Sequence, residues 1–73
     1  MTQVMNASMV LSVRERENKQ VIYDIKVRER LYTLVKTWID GKLDSEIVLN
    51  KAGWNITTPS TLIHLNEIIE ESK

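Results

Sequence analysis

Hydrophobic and polar positions alternate most clearly over residues 21–27, VIYDIKV. Val21, Tyr23, Ile25 and Val27 fall on one side there, and Ile22, Asp24 and Lys26 on the other. A period of two is that of a strand, and four β-branched residues with a Tyr in seven positions suit a pleated surface. A helical spacing competes, because Val21, Ile25, Arg28, Tyr32, Val35 and Ile39 recur every three or four residues and one long helix could run through them. The β-branched density favours the strand.

From about Glu29 to Asp40 the period becomes helical, with Leu31, Leu34, Val35, Trp38 and Ile39 in one stripe and Gly41 placed as a left-handed C-cap. Asp44 or Ser45 can cap a second helix over residues 45–53, with Ile47, Val48 and Leu49 or Ala52 inward and Gly53 closing it. Thr58 then caps a third helix of about residues 59–71, with Pro59 at its first position and Leu62, Ile63, Leu65, Ile68 and Ile69 on its apolar side. Glu67, Glu70 and Glu71 stand at the wrong end for the helix macrodipole, which predicts a fraying last turn. Residues 1–19 read as a flexible N-terminal arm. Met9, Leu11 and Val13 do alternate within it, and a strand over residues 9–16 hairpinned to 21–28 would compete with pairing between chains. The expected fold is mainly α with one short β-strand, in a single domain over residues 20–73.

Length sharpens this picture. A chain of 73 residues makes a marginal monomer, and small domains commonly need a staple. Cysteine is absent and there is one histidine, so neither disulfides nor a usual structural zinc site can serve, and no metal or cofactor is called for. Association with a second copy is the staple left, and we expect a homodimer. No apolar run approaches the roughly 18 residues of a membrane span, and no basic stretch precedes an apolar core as in a signal peptide, so the expected location is cytoplasmic, with no membrane partner. Net charge is zero, yet residues 1–42 hold eight Lys or Arg against five acids and residues 43–73 hold two against five. A basic front and an acidic rear suit a protein that turns one face to a polyanion. His64 has no nucleophile to serve and both glycines sit at expected helix ends, so an enzyme is not expected.

The order strand, helix, helix over residues 21–53 resembles the ribbon-helix-helix regulators, the family of the Arc, MetJ and plasmid copy-control repressors. Tyr23-Asp24-Ile25-Lys26-Val27 resembles the family's strand and Arg28-Glu29-Arg30 its polar junction. Leu31, Val35, Trp38 and Ile39 match its core spacing, and Gly41-Lys42-Leu43-Asp44-Ser45-Glu46-Ile47 its glycine turn and capped second helix. The resemblance covers about 30 residues, and a third helix would make this an elaborated form, of the sort small crenarchaeal virus regulators can show.

It implies a homodimer whose two copies of the strand pair as a ribbon and enter the major groove of double-stranded DNA to regulate transcription. Ile22, Asp24 and Lys26 would then read bases; Arg14, Arg16, Lys19, Arg28, Lys42 and Ser45 would contact phosphates. Val21, Tyr23, Ile25, Val27, Leu31, Val35 and Trp38 would form the dimer core.

Two rivals share the same residues. Residues 45–69 also resemble a helix-turn-helix, which would turn Thr58, Ser60, Thr61 and His64 toward the groove. Alternatively the chain is a dimeric protein–protein interaction module, such as a viral or phage inhibitor of a host enzyme, that does not bind DNA.

Overall fold

A computed structural model describes residues 8–17 and 19–72. Four strands, β1 (Ser8–Arg16), β2 (Gln20–Val27), β3 (Arg30–Ile39) and β4 (Lys42–Asn50), precede one helix, α1 (Pro59–Glu71). The strands form one antiparallel sheet in the order β1-β2-β3-β4. The fold is therefore mainly β, not mainly α, and the ribbon-helix-helix resemblance fails. Residues 29–40 and 45–53, expected as two helices, are chiefly β3 and β4, and residues 8–16 of the expected arm are β1. The remainder of that arm, residues 1–7 and 18, lies outside the described residues.

The stripe that suggested a helix is two half-stripes on opposite sides of a strand. Leu34 pairs across the sheet with Tyr23 and Val48, whereas the next residue, Val35, pairs with Ile22 and Ile47. Thr33, Val35, Thr37 and Ile39, with Tyr32 and Trp38, give β3 the β-branched and aromatic content that a pleated surface favours over a helix. Gly41 is not a helix cap but half of a two-residue hairpin turn. Asp40 and Gly41 have φ of 52° and 79°, and they sit between the paired residues Ile39 and Lys42. Positive φ at both positions is the turn geometry that matches strand twist, and Asp-Gly is a favoured pair for it. At the β2–β3 turn it is Arg28 that takes φ 57°.

α1 begins where Thr58 Oγ1 accepts from the Thr61 N–H at 3.2 Å and Pro59 opens the first turn. The helix lies on one face of the sheet. Leu65, Ile68 and Ile69 pack with Ile25, Leu34 and Val48, and Val10, Val27, Tyr32 and Ile56 border that cluster. These sheet residues occupy the half of the face nearer the β2–β3 turn. Two bulges interrupt the ladder, one at Leu11 in β1 and one at Asp44 in β4. The outer edge of β4 is capped by the segment that follows it: Ile56 N–H donates to the Val48 carbonyl (2.8 Å), Val48 N–H to Thr57 Oγ1 (2.8 Å) and Asn50 N–H to the Trp54 carbonyl (3.0 Å). β1 forms the other edge.

Candidate interaction surface

The expected base readers, Ile22, Asp24 and Lys26, do share one face, the face opposite α1. They stand on β2, however, which has β1 on one side and β3 on the other. With both backbone edges of β2 committed within the chain, residues 21–27 cannot also form a two-stranded ribbon with a second copy. Val21, Tyr23, Ile25 and Val27 turn to the α1 side, where Ile25 is fully buried in the chain's own core. Leu31 and Val35, expected beside them, lie on the opposite face, and Trp38 lies toward the far end of the α1 side.

The expected phosphate contacts are scattered. Lys19, Lys42 and Arg16 cluster at the end of the sheet that holds the Asp40-Gly41 turn, while Arg28 is in the turn at the other end, about 25 Å away for strands of this length. Ser45 lies inside β4, opposite Thr37, with no helix N-terminus beside it. The helix-turn-helix reading fails for the same reason, since its first helix is a strand. Thr58, Ser60 and Thr61 spend their hydroxyls on one another at the start of α1, and His64 is exposed on that helix.

What the open face holds instead is an apolar band. Ile22, Val35 and Ile47 line up across β2, β3 and β4, with Leu49 beside Ile47 and with Leu31 and Met9 flanking Lys26. Ile22 is only 8% exposed although it lies outside the core cluster, because its row neighbours shield it. Ile47, Leu31 and Met9 are 36%, 38% and 53% exposed. Antiparallel sheets that leave one face to water normally carry polar residues on it.

Asp24 is the acid among them, and it is satisfied in place. Ser12 Oγ donates to its Oδ2 at 2.7 Å, Thr33 Oγ1 to its Oδ1 at 3.3 Å, and Arg14 Nη2 lies 3.2 Å from Oδ2. Beside this network, Leu11, Ser12, Asp24, Leu31 and Thr33 border a shallow hollow of about 390 Å³. Alternation read across three strands rather than within one would have found this band, because Val35 is the cross-strand partner of both Ile22 and Ile47.

Among the described residues, no cluster of three His, Asp or Glu side chains is arranged to hold a metal ion, and no helix is long and apolar enough to cross a membrane. No protein-family model, curated protein or solved structure matches this chain.

Proposed function

We propose that this chain is a non-catalytic, cytoplasmic protein-interaction module that works as a homodimer, two copies closing the open faces of their sheets against each other. The observation that carries the reading is the band of Ile22, Val35 and Ile47, with Leu31, Leu49 and Met9 around it, on a face that no element among the described residues covers. Sheets pack face to face about 10 Å apart with their inner side chains interdigitated.

A face four strands wide and about eight residues long measures roughly 500 Å² per copy, so a pair would bury on the order of 1,000 Å², the lower bound for a specific interface. Burying a lone carboxylate would defeat such packing. Asp24 escapes that penalty because Ser12, Thr33 and Arg14 already satisfy it within each copy.

Sedimentation analysis over a wide concentration range tests this. Wild type dimerises, while Val35→Lys and Ile47→Lys stay monomeric with an unchanged circular dichroism spectrum. A wild type that remains monomeric, or variants that dimerise as well as wild type does, would overturn the reading. So would titration of random-sequence duplex showing tight, steeply salt-dependent binding, which would point to a nucleic-acid partner.

A further inference from the structure

The β2–β3 turn and the end of β4 beside it are cationic. Lys26, Arg28, Arg30 and Lys51 stand there against Glu29, a balance of +3 in a chain whose net charge is zero. All five are exposed, and among the described residues no carboxylate pairs with any of these four cations. By contrast, Arg14 has Asp24 and Lys36 has Glu46.

Glu29, Arg30 and Lys51 border a hollow of about 470 Å³ whose other walls include Tyr32, Asn50, Ala52 and Ile56. That volume lies in the range of small-molecule sites, roughly 300–1,000 Å³. Tyr32 and Asn50 are cross-strand partners, and both are half-buried. Asn50 is fixed in place: its Oδ1 accepts from the Trp54 N–H at 2.9 Å and its carbonyl from the Gly53 N–H at 2.9 Å, which leaves Nδ2 as a donor. Among the described residues neither Asn50 Nδ2 nor the Tyr32 hydroxyl has a hydrogen-bond partner. Polar groups withdrawn from water normally have one.

Four donors therefore wall the hollow: a guanidinium, an ammonium, an amide and a hydroxyl. Glu29 is the opposing acid, and Ala52 and Ile56 add apolar surface. Donors with an excess of positive charge suit an oxyanion. A phosphate monoester matches four donors better than a carboxylate does, because it brings three acceptor oxygens and a charge of about −1.5 to −2.

We propose that this hollow binds a small phosphate monoester. Its phosphate is held by Arg30, Lys51, the Asn50 amide and the Tyr32 hydroxyl, and its carbon group lies against Ala52 and Ile56. Leu31 also walls the hollow and flanks the open-face band, so Val35→Lys, with its dimer face disabled, is titrated beside wild type.

The probe is phenyl phosphate, followed by calorimetry and by amide chemical shifts, with benzoate and inorganic phosphate for comparison. Expected is saturable binding by wild type and Val35→Lys alike, with amide shifts centred on Tyr32 and Asn50. Affinity falls about tenfold for benzoate, for Arg30→Ala, for Lys51→Ala and for Asn50→Asp, which keeps the acceptor for the Trp54 N–H but loses the donor. Inorganic phosphate, without a carbon group, binds more weakly than phenyl phosphate, and Tyr32→Phe weakens binding without any change of charge. Asn55→Asp adds the same charge outside the hollow, keeps the acceptor that Thr57 uses, and binds nearly as wild type does. No saturable binding up to about 10 mM, equal binding of benzoate, or binding lost in Val35→Lys would overturn the proposal. So would equal losses in Asn50→Asp and Asn55→Asp with none in Tyr32→Phe, which would leave only the general attraction of anions to a basic end.

Discussion

Leu34 and Val35 are neighbours in sequence that stand in different worlds, and substituting each in turn tests the architecture directly. Leu34 is fully buried under α1, between Tyr23 and Val48, in contact with the cluster of Leu65, Ile68 and Ile69. Leu34→Ala removes buried methyl groups and leaves a cavity, a change that costs about 2–5 kcal/mol. A 73-residue domain has a total stability of only about 4–11 kcal/mol, so this one change removes a large share of it. Val35 faces away from the core, so Val35→Thr keeps the β-branched shape the strand wants and costs less than about 1 kcal/mol. The assay is urea unfolding followed by circular dichroism, at a concentration low enough to keep the protein monomeric. With a slope near 1 kcal/mol per molar for a domain this small, the Leu34→Ala midpoint falls by roughly 2 M or more while that of Val35→Thr barely moves. Ile25→Val, a milder lesion on the buried face worth about 0.5–1.5 kcal/mol, covers the case in which Leu34→Ala is unfolded without urea. Equal costs at positions 34 and 35 would refute the reasoning, since both would then face one packed layer, as they would on a helix.

Three further outcomes are expected. Arg28→Gly relieves a positive φ that L side chains tolerate poorly; it stabilises the chain by up to about 1 kcal/mol after the added chain entropy of glycine, read as a rise of a few degrees in thermal midpoint. Thr57→Val takes away the acceptor of the Val48 N–H and costs about 1–3 kcal/mol, with hydrogen exchange at the Val48 amide accelerated ahead of that at the β2–β3 amides. Glu71→Lys raises stability by about 0.3–1 kcal/mol through the helix macrodipole, measured by chemical denaturation.

Some of this molecule was legible in its residues and some was not. Thr58-Pro59 announced α1, because a hydroxyl cap followed by a residue without an N–H satisfies the first turn wherever the rest of the chain goes. The β-branched run at 21–27 likewise marked β2. Residues 29–53 misled for a physical reason. β3 has apolar side chains on both faces, Leu34 beneath the helix and Val35 on the open side, so its pattern lacks the clean alternation of a half-exposed strand and mimics a helical stripe. The local signal that could have corrected it was Asp40-Gly41, which reads equally as the end of a helix and as a hairpin turn. The open-face band could not be found from one strand alone. Ile22, Val35 and Ile47 come together only when the register of three strands is known.

The two edges of the sheet are unequal, and that inequality bears on how far assembly can run. The outer edge of β4 is occupied near Val48 and Asn50 by the segment 54–57, and its remaining length carries Lys42, Asp44 and Glu46, charges that discourage an incoming strand. Among the described residues β1 has no such cover; its charges are confined to Arg14, Glu15 and Arg16, and Met9, Leu11 and Val13 are exposed. A sheet with two receptive sides can recruit copies without end, whereas one with a single receptive side is used up after one addition. By occupying β4 near Val48 and Asn50, the stretch from Trp54 to Thr57 leaves the sheet one receptive edge at most, so strand pairing at that edge alone would not extend into a fibre.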